Sequence, residues 1–204
     1  MTSSREAVRR LFGVTADLTA NQPPLPAIFP DQLAPVIHTG ADGARTMQAM
    51  RWGFPPPPDL GSRPVTNVRN LASSFWRGWL KPEFRCLVPA TSFCEYDEAH
   101  AKRPTWFALS PARPAFAFAG IWRPWTGARK GETGEHRLFA FLTTDANDLV
   151  RPVHPKAMPV LLTEPEEWEV WLGGSTAHAL ALQRPLADGR LMIVAAGARQ
   201  DAAA

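Results

Sequence analysis

Apolar positions along this chain recur at strand spacing far more often than at helical spacing. The stretches QLAPVIHT, RTMQAMRWGF, RCLVPATSFCEYDE, PTWFALS, AFAFAGIWRPW and HRLFAFLTTDA alternate or run continuously apolar. Glycine, proline or charged residues bound each of them, which predicts a series of short strands. Helical spacing shows only at the margins. SREAVRRLFGV sets Ala7, Val8, Leu11 and Phe12 on one face, with Ser4 as N-cap and Gly13 as stop. FWRGWLKP reads as a short helix, and DANDLVRPV as another, capped by Asp145. PEEWEVWLGG follows with Pro165 in its first turn, then STAHALALQRPL. RLMIVAA is the last strand, and the tail GARQDAAA is expected to fray. FPPPPDLGSRP is a stiff extended loop. With no internal repeat and no linker, the pattern predicts one α+β domain over residues 1–204. Its centre is a mostly antiparallel, barrel-like β-sheet with short flanking helices.

Composition narrows this picture. A 45% hydrophobic share supports a buried core, and 21 prolines favour short strands and loops over a helical bundle. The eight tryptophans either fill that core or offer stacking surfaces to bases. A net charge of +3 permits a polyanionic partner without demanding one. The start MTSSREAVRRLFGV carries charges where a secretion signal needs an apolar centre, and PAFAFAG is too short to span a bilayer. A cytoplasmic location with no membrane association is therefore expected. Cys86 and Cys94 have no metal-ligand spacing to each other or to a histidine, so neither a metal site nor another cofactor is expected. There is no G-x-S-x-G elbow and no phosphate-cradling glycine loop.

Three polar residues remain as candidate chemistry. His154 stands between Pro152 and Pro155 in PVHPKAMPVLL, a frame that leaves its backbone little freedom. It either caps the entrance to a strand or is a rigidly held acid/base imidazole. Glu95 ends the apolar run SFCEY. It is either a solvated strand end or a desolvated carboxyl with a raised pKa suited to general-acid work. Asn67 in VTNVRN is either a turn residue or an amide that orients a substrate.

The segments MRWGF, TNVRN, RCLVPATSFCEY, AFAGIW, LTTDAN and VHPKAMPVLL occur together, in this order, between residues 47 and 172. In that order and spacing the chain resembles the SRAP family, the SOS-response-associated peptidase fold, whose proteins recognise abasic sites in single-stranded DNA. The resemblance implies a monomer with a single-stranded DNA partner. It also implies a cysteine directly after the initiator methionine. The α-amine of that cysteine attacks the ring-opened sugar aldehyde, and its thiol closes a thiazolidine crosslink. An α-amine suits this step because its pKa, about 7.7–8.0, leaves it partly neutral at pH 7. By motif the family's asparagine falls on Asn67, its acid/base glutamate on Glu95 and its histidine on His154. DNA-facing positions fall on Trp52, Arg69, Arg85 and Tyr96; for Trp52 and Arg85 a core role is the competing reading.

One departure stands out. Position two is threonine, and Cys86 and Cys94 are internal, so neither offers a free α-amine. Either Met1 is an internal methionine with a Met-Cys opening upstream, the preferred reading, or the chain is a natural variant that binds without crosslinking. The third option is that the Thr2 amine forms a reversible Schiff base. A non-catalytic single-strand-binding module and a peptidase are the alternatives to an abasic-site sensor.

Overall fold

Helix α1 (Arg5–Leu11) ends where Gly13 takes φ +63°, a left-handed turn that glycine enters without Cβ strain. The computed structural model describes residues 5–19, 25–56, 61–97, 100–129 and 131–201, so Thr2 and the proposed cap Ser4 lie outside the described residues. Strands β1 (Ala16–Asp17), β2 (Leu33–Thr39) and β3 (Arg45–Trp52) follow, then β4 (Asn67–Val68) and helix α2 (Ser74–Arg77). Next come β5 (Arg85–Ala90), β6 (Phe93–Asp97), β7 (Arg103–Ala108), β8 (Phe116–Arg129) and β9 (Glu132–Thr144). The chain ends with β10 (Met158–Pro159), β11 (Leu161–Leu162), α3 (Pro165–Gly173), α4 (Thr176–Leu180) and β12 (Met192–Ala196).

Strands β3, β2, β5, β8 and β9 pair antiparallel in that order. Parallel pairing of β3 with β9, Arg51 opposite Leu138 and Trp52 opposite Phe139, closes them into a five-stranded mixed barrel. A second sheet, β12-β7-β6, stands apart from it. The continuous apolar runs have a physical reason: both faces of these strands are buried. In β9, Leu138, Ala140 and Leu142 join the core shared with α1 and α3, while Phe139 points into a second core with Phe93 and Phe107 of the small sheet. In the RWGF segment, Gly53 adopts φ +114°, and a Cβ there would stand 2.7 Å from that of Pro64. The amide of Gly53 donates to Phe139 O at 2.7 Å, so the turn that leaves β3 is bonded directly to β9.

The architecture is the expected single α+β domain, and four local expectations change. RCLVPATSFCEYDE is two strands in different sheets, split at Thr91 and Ser92. DANDLVRPV forms successive turns instead of a helix. Buried Asn147, not Asp145, organises them: its Oδ1 accepts from Val150 N at 3.0 Å and its Nδ2 donates to Leu186 O at 3.1 Å. Asp145 instead pairs with Arg69. The tail up to residue 201 is docked, not frayed. Gly197 N donates to Pro104 O, Trp106 Nε1 donates to Ala198 O, and buried Asp201 receives a forked pair of bonds from Arg113, each 2.8 Å. No helix among the described residues is long and apolar enough to cross a membrane.

Candidate functional site

A cavity of about 370 Å³ opens between the barrel wall and the small sheet. Asn67, Glu95 and His154 all line it, as do Trp52 and Tyr96. Three separate mechanisms bring the polar three together. Asn67 is carried by β4, which adds to β9 in parallel with Asn67 opposite Phe141; its side chain is exposed. Glu95 sits in β6 opposite Thr105 of β7. His154 closes the turns after Asn147, its amide donating to Val150 O at 2.9 Å. The prolines beside His154 are thus joined by a hydrogen-bonded turn stack.

The His154 ring is fixed as well. Its Nδ1 lies 2.8 Å from Ala157 O, and since a carbonyl only accepts, Nδ1 carries the proton. That assignment leaves Nε2 of the neutral ring as the acceptor. The same Nδ1 is 3.7 Å from a Glu95 carboxylate oxygen, which is an electrostatic contact and too long for a hydrogen bond. The Glu95 side chain is 21% exposed, and its carboxyl makes no hydrogen bond among the described residues. Burial pushes its pKa up to about 7, with His154 pulling the other way. A carboxyl half-protonated near neutrality can both give and take a proton, and it faces the oriented His154 ring.

The wall around these groups is apolar and aromatic. Trp52 stacks on Phe141 at 5.1 Å between ring centroids, and its Nε1 donates to Thr66 O at 3.0 Å. It is half-buried, so one ring face belongs to the core while the residue still lines the cavity. Tyr96 is 40% exposed at the mouth.

The two arginines assigned to DNA are placed differently. Arg85 is fully buried. Its guanidinium donates to Leu80 O, Trp171 O, Gly174 O and Thr176 Oγ1, and it lies 5.7 Å from the Trp171 ring centroid. It has no face for a phosphate, and its role is to tie β5 to the end of α3. Arg69 is exposed, yet its Nη1 donates to Thr144 O and Lys156 O, and its Nη2 meets Asp145. Arg69 therefore braces the loop that carries His154, and neither arginine lines the cavity.

Neither thiol is activated. Cys86 is wholly buried and burial drives its pKa well above the ordinary value. Cys94 is pushed up to about 11, first by burial, with the Glu95 charge adding to it and a backbone hydrogen bond from Thr105 opposing. Among the described residues no group of three or more His, Cys, Asp or Glu could hold a metal ion. Sequence reasoning missed Ser92 and Arg199 on the cavity wall. Arg199 belongs to a polar tail whose partners are distant in sequence, so no local signal could have found it.

The family model described as SOS response associated peptidase (SRAP) matches residues 1–196. Among solved structures, a protein from Bacteroides thetaiotaomicron is similar with a TM-score of 0.73 at 26% identity, over 95% of this chain and 88% of that one. A protein from Bordetella bronchiseptica gives a TM-score of 0.73 at 22% identity, over 93% and 94% of the two chains. A phage-related protein from the same organism gives 0.67 at 22% identity, over 94% and 90%. No curated protein matches the sequence significantly. The family pattern runs through almost the whole chain, and the fold agrees with it. This chain belongs to the SOS response associated peptidase (SRAP) family.

Proposed function

We propose that this protein senses abasic sites in single-stranded DNA by admitting the ring-opened deoxyribose into the cavity of Asn67, Glu95 and His154. The observation that carries the reading is the convergence on one apolar cavity of a carboxyl with a pKa near 7 and a tautomerically fixed imidazole. An aldehyde sugar without a base needs a pocket with no base-shaped slot, a proton source and a proton acceptor. Glu95 and His154 on the cavity wall are suited to the last two of these. The flanking bases lie against Trp52 and Tyr96, where aromatic faces are available.

When a cysteine α-amine is presented at the cavity, it adds to the aldehyde carbon to give a carbinolamine. Protonated Glu95 gives its proton to the departing hydroxyl, water leaves and an imine forms. The thiol then adds to the imine carbon while its proton passes to the ring nitrogen, closing the thiazolidine. His154 accepts and returns protons through Nε2, and Asn67 orients the amine or the sugar oxygen. A threonine α-amine presented in the same way would stop at a reversible imine, since a hydroxyl closes a poorer ring than a thiol.

The test compares the chain beginning Met-Thr with a form that begins with a free cysteine followed by a short added strand ahead of α1. Each is incubated with single-stranded DNA carrying one abasic site. The cysteine form gives a heat-stable adduct on a denaturing gel, and the Met-Thr form gives at most a borohydride-trapped one. Glu95→Ala in the cysteine form slows adduct formation about 10²–10⁴-fold. Equal adduct from both forms would place the nucleophile on an internal lysine and overturn the mechanism.

A further inference from the structure

We infer that Arg199 is the residue that grips a backbone phosphate at the cavity mouth, held there by a latch formed from Arg113, Asp201 and Ser92. The inference rests on the single-stranded DNA reading above and names a contact that reading lacks. With Arg85 buried and Arg69 spent on its own chain, Arg199 is the one permanent cation among the described residues that line the cavity. Most of the other arginines in the described residues are neutralised by carboxylates, as in Arg45–Glu169, Arg129–Asp31 and Arg184–Glu167. Arg199 makes no ion pair among the described residues. Its guanidinium lies 5.5 Å from the Phe29 ring centroid, a stacking contact that leaves its hydrogen-bonding edge available.

A cation on a polar tail grips nothing unless the tail is fixed, and this one is fixed on both sides of Arg199. On one side Trp106 Nε1 holds Ala198 O at 2.8 Å. On the other, Asp201 is 2% exposed, clamped by Arg113 through two bonds of 2.8 Å and by Ser92 Oγ at 2.6 Å, and its amide reaches Pro26 O. Ser92, Trp106 and Pro26 themselves line the cavity. The latch and the site therefore share a wall, and Arg199 sits between two anchored points. A planar guanidinium held in this way suits the forked recognition of a phosphodiester next to a sugar buried in the cavity.

The probe is a fluorescein-labelled single-stranded oligonucleotide with one tetrahydrofuran abasic analogue, titrated by anisotropy over a range of salt concentrations. Arg199→Ala is expected to weaken binding about ten-fold at low salt, the worth of one charge-assisted hydrogen bond. It should also flatten the slope of log K against log salt by about 0.7, one phosphate contact on a single strand. Asp201→Asn, checked by thermal unfolding to be folded, should reproduce much of that loss while keeping Arg199. Arg190→Ala removes a cation that does not line the cavity and should leave the slope nearly unchanged. If the unaltered chain binds and Arg199→Ala binds equally with the same slope, the assignment of Arg199 is wrong while the DNA reading stands. If Arg199→Ala loses affinity but Asp201→Asn does not, the latch is wrong. Absence of binding by the unaltered chain at low salt overturns the DNA reading itself, and this inference with it.

Discussion

Replacing Glu95 by glutamine should make the protein more stable at alkaline pH, although it removes the residue assigned the central proton transfer. In the unfolded chain this carboxyl titrates near its ordinary value of 4.5, and in the fold burial raises it to about 7. Between those values the native state holds a proton that the unfolded state has lost, so stability falls as pH rises through this window. The shift corresponds to about 3 kcal/mol once both states are ionised, and closer to 2 kcal/mol after allowance for the 21% exposure of the side chain. Glutamine carries no such titration. The stability difference between Glu95→Gln and the unaltered protein should therefore climb from pH 5 to pH 8 by about 2–3 kcal/mol. For a chain of this size that is a relative Tm gain of roughly 4–12 °C. The acid limb is shared by both proteins and cancels. There Asp201, whose carboxyl burial pushes up but Arg113 and Ser92 hold below the usual range, loses its contribution as pH falls. Urea unfolding followed by tryptophan fluorescence at pH 5, 6, 7 and 8 gives the four differences directly. A difference that stays flat with pH, or one that falls, would show that Glu95 is ionised in the fold at neutrality, and its role as proton donor would go with it.

Arg85→Ala should cost about 3–4 kcal/mol, because Leu80 O and Trp171 O lose their donor in the buried interior and the part-buried Gly174 O and Thr176 Oγ1 lose theirs as well. Thermal unfolding measures this, and a loss under 1 kcal/mol would return Arg85 to the surface. Gly53→Ala should destabilise by about 1–3 kcal/mol, since φ +114° and the 2.7 Å approach to Pro64 leave no room for a Cβ; equilibrium unfolding that matches the parent would contradict the turn geometry. Cys94, with its thiol pushed up to about 11, should react with a thiol-specific disulfide reagent at pH 8 far more slowly than free cysteine. Stoichiometric labelling within seconds would show an exposed thiolate.

The strands were legible because burial on both faces leaves continuous apolar runs, and FAFAGIW opens the barrel's longest strand. Helix α3 was legible because proline at its first turn is a local signal, and a reciprocal Glu164–Glu167 capping box completes it. What stayed hidden depends on partners far away in the chain. The turns around Asn147 look helical until that side chain finds Leu186 O, and the tail looks loose until Asp201 finds Arg113. Arg85 opens an apolar strand, and nothing near it in sequence reveals that the carbonyls receiving its protons come mostly from the end of α3. The aspects of the site that sequence made visible were residue types. Their meeting in one cavity is a property of the closed barrel.

Parallel pairing of β3 with β9 joins an early strand to a late one, and the cavity inherits that dependence. Trp52 and Asn67 arrive with the first third of the chain, Glu95 with the middle, and His154 and Arg199 with the last quarter. The site is therefore assembled late: until β9 is in place, Asn67 has no strand to lie on. Such long-range closure is slow relative to hairpin formation. The groups that line the cavity thus meet only once β3 and β9 have closed, so the long-range contacts that complete the barrel are also the ones that assemble the site.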